Sequence, residues 1–283
     1  MGVSMDVAVK GAQGAGQRAS EIPKVTHAEA GRLAQTEYER VLALLEELEG
    51  DDWAQPTYCT EWNVREMVAH LAGAVTGSTS FAEFRRQNMQ NPYVKEFEEP
   101  VDGTNKLQIE EREGKTTAEL VEEFRQSGQI AVRKRQNLPW LLRKLRVPMG
   151  SMGLTSFEYL MDTIYPRDQW MHRYDICAAT GREMEVTAAH DGRMVALVLR
   201  DIADKLRQEL ADRSVALRLT GEAGGNYLFG GAADPDCTIE MDAFTFCLRS
   251  SGRITVEEAS ERVTVMGDGA TAVWFLRNME VMF

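Results

Sequence analysis

The sequence predicts a two-part fold of class α then α+β: an N-terminal four-helix bundle followed by a smaller α+β domain. Three observations predict it. Up to about residue 184, apolar residues recur at helical spacing in long segments, some opened by a capping pair. Beyond that point, short β-branched and aromatic runs punctuated by Gly, Asp and Pro take over. The balance of 43% hydrophobic and 27% charged residues is that of a soluble globular chain with ample material for a core. The expected division is a flexible leader over 1–24, a helical domain over 25–184 and an α+β domain over 185–283, with no internal repeat.

The leader is rich in Gly, Ala and Ser. Val7-Ala8-Val9-Lys10, followed by Gly14-Ala15-Gly16-Gln17-Arg18-Ala19, imitates a strand running into a dinucleotide-binding glycine motif. Polar residues and Pro23 stand where the helix of that motif should open, so its context is missing. The first helix is expected over 26–48, with Leu33, Tyr38, Val41, Leu42, Leu45 and Leu48 near helical spacing and Gly50 as terminator. The second opens at Asn63, with Glu66 three residues on, and presents Val64, Met67, Val68, Leu71 and Val75. Residues 78–89 extend it. The stretch 90–105, holding Pro92, Pro100 and Gly103, reads as a surface loop.

A third helix covers about 117–136 through Leu120, Phe124, Ile130 and Val132. A short apolar element at 139–142 and a loop at 148–153 follow. The fourth helix runs from Thr155 to Thr180, with Glu158 in its first turn and Gly181 as its stop. Pro166 falls inside it and predicts a kink. The second part reads as a helix over 187–210, strands at 215–219, 226–229 and 237–241, a short helix at 244–250, a strand at 262–265 and a closing helix at 270–279.

Composition excludes several functions. A net charge of −12 argues against a nucleic-acid partner, which calls for a basic surface. No apolar run is long enough to span a bilayer, so no membrane partner is expected. Cys59, Cys177, Cys237 and Cys247 form no C-x-x-C pair and read as free thiols of a reducing compartment. With no signal-peptide pattern, a cytoplasmic protein is expected, as monomer or homodimer.

The candidate chemistry lies in Asp168 and His172, four residues apart and therefore on one helix face one turn apart. His70 sits in the second helix beside its apolar face. Two histidines and a carboxylate from two facing helices would make a three-ligand zinc site with an open position, as catalytic zinc requires. Each residue also has a plainer reading: His70 as a core-edge histidine, Asp168 as a solvated charge, His172 as a hydrogen-bonded packing residue. His27 and His190 read as surface residues.

Two segments narrow the choice. Trp62-Asn63-Val64-Arg65-Glu66-Met67-Val68-Ala69-His70-Leu71-Ala72-Gly73 resembles the W-x-V-R-x-x-x-x-H-L-x-G signature of mycothiol-dependent maleylpyruvate isomerases, members of the DinB-like helical bundle superfamily. Asp168-Gln169-Trp170-Met171-His172-Arg173-Tyr174-Asp175 resembles that family's second metal motif, E-x-x-x-H-R-x-D. The stretches 148–153 and 242–253 are similar to its loop before the fourth helix and to a helix and turn of its sterol-carrier-like C-terminal domain. The resemblance covers about 26–279.

The resemblance implies that His70, Asp168 and His172 hold Zn2+ or another divalent metal, and that mycothiol is the thiol. Asp168 stands where the family has Glu, which draws the carboxylate back by one methylene. A thiol at such a metal loses its proton. The thiolate would add to an electrophile, then leave after rotation about a double bond in isomerisation, or stay in S-transfer. Arg253 is the candidate catalytic residue, and Arg249 and Arg253 are candidates for cofactor binding. Their alternatives are surface arginines, the reading favoured for Arg249. Asp175 is expected to orient a ligand histidine or to pair with Arg173, and Trp62 to pack at the helix start. Two other readings compete: a non-enzymatic carrier with an apolar pocket in the C-terminal domain, and a metal-dependent hydrolase, for which no base carboxylate stands out.

Overall fold

A computed structural model of the chain describes residues 16–150, 153–232 and 234–283. Four helices form the bundle: α1 (His27–Glu46), α2 (Val64–Gly77), α5 (Thr117–Gln136) and α8 (Tyr165–Thr180). Thr26–Glu29, Asn63–Glu66 and Thr116–Glu119 close capping boxes at the starts of the first three, pairing amide groups that a helix end leaves open. Around the bundle α1 packs on α5 and α8, and α2 on the same two helices. Tyr38, Val41, Leu45, Met67, Leu71, Leu120, Phe124 and Ile176 meet in its core.

Two helices lie between the second and third bundle helices. Ser80 caps α3 (Phe81–Met89), so the continuous helix expected through residue 89 is broken after Gly77. The expected surface loop at 90–105 is also corrected: α4 (Pro100–Glu110) begins inside it and buries Gly103, Thr104, Leu107 and Gln108. Pro100 ends nothing here. It stands in the first turn, where its missing N–H is no loss. α4 packs against α2, which positions the site described below.

After α5 come α6 (Trp140–Arg143) and an antiparallel hairpin of β2 (Arg146–Pro148) and β3 (Leu154–Ser156). The fourth helix then opens at α7 (Phe157–Tyr159), capped by Ser156, passes through a π turn at Leu160–Ile164 and continues as α8. Pro166 falls in the first turn of α8. The proline cannot donate one turn back, and the wider π turn, in which the Tyr165 amide reaches Leu160 O, takes up the mismatch.

The C-terminal part is a five-stranded mixed sheet with helices packed on it. It uses β1 (Gln17–Arg18), β4 (Val215–Thr220), β5 (Gly225–Phe229), β6 (Cys237–Asp242) and β7 (Thr264–Gly267), in the order β1-β5-β4-β6-β7. β4 and β6 are parallel neighbours; β5 and β7 pair antiparallel to them. Buried residues alternate along β4 and β6, the period of a strand with one covered face. α9 (Arg193–Lys205), α10 (Ala243–Ser250) and α12 (Gly269–Asn278) pack against the sheet or one another, and α11 (Val256–Ser260) joins α10 and α12.

The leader expected to be flexible is ordered in its described portion. Gln17 and Arg18 pair parallel to Tyr227 and Leu228, and Ala19 and Ile22 are fully buried. The imitation strand at 7–10 and Gly14 lie outside the described residues; Gly16 runs into β1. Among the described residues no helix is long and apolar enough to cross a membrane.

Candidate metal centre

α2 and α8 bring His70, Asp168 and His172 together, with one possible ligand atom from each lying within 4.8 Å of the others. Asp168 stands between the imidazoles: His70 Nε2 is 3.5 Å from Oδ2 and His172 Nε2 is 3.3 Å from Oδ1. These separations match the edge of a tetrahedron with bonds of about 2.1 Å, roughly 3.4 Å. Both histidines are buried, while Asp168 keeps partial exposure. Burial would raise the Asp168 carboxyl, but the two imidazoles outweigh it and hold the group far below the usual carboxylate range. Burial would lower His172, and Asp168 overrides this in turn and raises it well above its ordinary value.

The second nitrogen of each ring is fixed. His70 Nδ1 lies 2.9 Å from Gln108 Oε1, so it donates there, and Nε2 is the nitrogen turned toward Asp168. Gln108 Nε2 donates to Gln87 Oε1 at 2.8 Å, which sets the orientation of the amide. His172 Nδ1 lies 3.0 Å from Asp175 Oδ2. Asp175 is fully buried and gripped by Arg253, whose Nε donates to Oδ1 at 2.9 Å and whose Nη2 donates to Oδ2 at 2.8 Å. Burial would raise Asp175, yet Arg253 and His172 keep it below the ordinary value. Trp62, expected to be a packing residue, lays its ring 5.1 Å from that of His70 and 6.0 Å from that of His172.

The donor set fits a divalent cation. His70 Nε2 is buried with no hydrogen-bond partner, an orphan that a metal would satisfy. Two imidazoles and one carboxylate are the donors of open catalytic zinc sites. Cys59, His172 and Asp175 form a second convergent group. There the Asp175 oxygens are engaged by Arg253 and His172 Nδ1, and Cys59 Sγ is 4.0 Å away, so this group supports the first rather than duplicating it.

Other sequence expectations change. Arg173 does not pair with Asp175; it bonds Glu37 and Asp191. His190 is not a surface residue: it is buried, with Nε2 2.8 Å from Glu37 Oε2. His27 is half-buried and bonds Asp162 and the carbonyl of Gln136. Arg249 is neither a surface arginine nor free to hold a cofactor. It is buried, and its three nitrogens bond Leu276 O, Ile254 O and Glu280. Gln108, Gln87 and Cys59 were not anticipated, and no spacing pattern marks them.

A helical bundle joined to a small mixed-sheet unit defines a class: the maleylpyruvate isomerase fold. Residues 34–177 match the family model described as the mycothiol maleylpyruvate isomerase N-terminal domain, and the chain belongs to this enzyme family. No curated protein sequence matches it. Crystal structures of the mycothiol-dependent maleylpyruvate isomerase and of a histidine-to-alanine variant share its fold, with TM-scores of 0.55 and 0.56. Each is 12% identical and covers 85% of this chain and 93% of its own.

Proposed function

We propose that the chain is a metal- and thiol-dependent isomerase, with His70 Nε2, Asp168 and His172 Nε2 as ligands of Zn2+ or a similar divalent ion. Mycothiol is the thiol and a maleylpyruvate-type cis acid the substrate, as in the proteins it resembles; S-transfer to an electrophile is the other outcome open to the same site. The carrying observation is the pair of Nε2 atoms flanking one carboxylate, each ring pinned through its other nitrogen. A divalent ion held there would stabilise a thiolate at its open position.

The chain's own residues do the rest. Gln108 and Asp175 hold the imidazoles in the ligating orientation. Trp62 lies against both rings. Arg253 reaches in from the C-terminal domain, and its Nη1, with no hydrogen bond to the described protein, is available to a substrate oxygen. The carrier reading gains no support from the C-terminal domain, whose Leu217, Phe229, Ile239, Phe246 and Phe275 pack in its core. A thiol kept reduced suits the cytoplasm.

The test is elemental analysis of wild type and His172→Ala purified without chelators, followed by an assay of maleylpyruvate isomerisation with and without mycothiol. Near-stoichiometric metal lost in the variant, and turnover that needs the thiol, are expected. Wild type that takes up no metal after zinc addition refutes the reading.

A further inference from the structure

Between Glu123 and Glu158 the sequence holds no acidic residue, in a chain whose net charge is −12. Within this stretch α6 is a single turn, Trp140-Leu141-Leu142-Arg143, that buries none of its residues. Trp140, Leu141, Leu142 and the following Leu145 are each between 43% and 64% exposed. Exposed Leu154 joins them from the hairpin, where Arg146 Nη1 donates to its carbonyl at 3.1 Å. The support beneath is firm. Val147 and Met149 pack on Leu160, Met161 and Ile164 around the π turn, and the Phe157 amide donates to Leu145 O at 2.8 Å.

Cations surround the apolar turn. Arg133, Lys134, Lys144 and Arg146 are exposed, and Arg143 is half-buried. Of the acids nearby, Glu158 bridges Arg143 and Lys144 at 2.7 and 2.6 Å, and Glu99 lies against Gly150 at the far end of the hairpin. Asp162 is buried and taken up by His27. The exposed face therefore stays positive on a strongly acidic chain.

Apolar residues scattered singly on a surface need no explanation, but a consecutive run rimmed by cations marks an interaction surface. Its shape selects the occupant. A protein groove reads one face of a helix, at i, i+3, i+4 and i+7. α6 is one turn long and spreads three consecutive apolar side chains around its axis, so no single face carries them. A second copy docked through the same patch would set cations against cations. Lipid takes side chains from every side, an indole sits well at headgroup level, and Lys and Arg lay their stems on apolar surface with their charge among anionic headgroups. No described helix is long and apolar enough to span a bilayer, and a surface contact needs none.

We propose that the α6 turn and its hairpin dock the protein on an anionic lipid surface. Trp140, Leu141, Leu142 and Leu145 enter the headgroup layer, and Lys144 and Arg146 meet lipid phosphates. So small an apolar patch with so few cations makes the contact reversible and sensitive to salt.

The full chain is sedimented with vesicles of phosphatidylcholine alone and of equal parts phosphatidylcholine and phosphatidylglycerol, at low and high salt. Wild type should bind the anionic vesicles at low salt, bind phosphatidylcholine far more weakly, and be released by salt. Its tryptophan emission should shift to the blue as Trp140 leaves water, and Trp140→Phe should lose that shift. Lys144→Gln combined with Arg146→Gln should weaken partitioning about 10- to 30-fold. Leu141→Ser combined with Leu142→Ser should weaken it on both kinds of vesicle. All these positions are exposed, so the circular dichroism of each variant should match wild type.

No binding of wild type to the anionic vesicles at low salt overturns the proposal. Binding that neither double variant reduces also overturns it, because another surface would then carry the contact. A wild-type dimer in sedimentation velocity that the leucine variant splits into monomers overturns it as well, since the patch would then be an interface between two copies of the chain.

Discussion

Gln108 decides which nitrogen of His70 is free. Its Oε1 can only accept, so Nδ1 carries a proton and Nε2 is the nitrogen left facing Asp168, where a metal would take it. Replacing Gln108 with Leu removes the acceptor and releases the tautomer. Gln108→Leu should therefore weaken zinc binding about 10- to 100-fold, read by competition with a chromophoric chelator, with the circular dichroism unchanged. Gln108→Glu, which still accepts from Nδ1, should keep most of the affinity. Zinc affinity equal to wild type in the Leu variant would mean that the His70 ring is oriented by something else. At this scale the sequence was readable where a pattern exists. Asp168 and His172 are four residues apart on one helix, and Asp175 follows His172 by three. Gln108 left no trace, because an uncharged amide acting from a helix of weak apolar periodicity looks like any surface residue. Arg253 was half legible: its reach into the site was anticipated, its grip on Asp175 was not.

Helix α4 must lie close to α2 for that contact to exist, and Gly73 permits it. A Cβ on Gly73 would meet Gln108 Cβ at 2.5 Å and Cγ at 2.6 Å. Glycine inside a helix costs about 1 kcal/mol relative to alanine, so Gly73→Ala would stabilise α2 if α4 were elsewhere. With α4 in place, overpacking costs about 1–3 kcal/mol. Gly73→Ala should lower the urea midpoint and weaken zinc binding together, since α4 carries Gln108 away as it yields. A more stable variant with unchanged zinc affinity would detach α4 from the site. Three of the bundle helices were legible because their caps and apolar periods agree. α4 was not, because Pro100 and Gly103 are loop residues by composition. In the fold the proline starts the helix, and Gly103 makes room for the backbone of Tyr93, which a Cβ there would meet at 2.5 Å. The π turn before α8 was legible only as a proline out of place.

Across the whole molecule the two parts share a core and a buried polar clamp. The sheet's apolar cluster takes in Leu33, Trp170 and Met171 from the bundle. Beside it Asp191, fully buried just before α9, accepts from Trp170 Nε1 at 2.9 Å, Arg173 Nη2 at 2.8 Å and Arg40 Nη1 at 2.9 Å. These donors come from α8 and α1, so one carboxylate ties both to the C-terminal part, from which Arg253 must reach Asp175. Such a clamp has no sequence signature, since its members are scattered polar residues that converge only on folding. Burial would raise the Asp191 carboxyl, but the Thr187 amide, Arg173 and Trp170 hold it below the ordinary value. A carboxylate lowered on folding stabilises the native state above its unfolded pKa of about 3.9, and that stabilisation is lost as pH falls through the lower folded value. Asp191→Asn leaves two guanidinium groups without this partner and should cost about 3–5 kcal/mol at neutral pH. Urea unfolding of wild type and variant from pH 7 down to pH 3 should show the gap wide and level at the upper end and narrowing below about pH 4. A gap that stays constant to pH 3 would mean that the charge of Asp191 is not what joins the two parts, and that its hydrogen-bond geometry alone holds them.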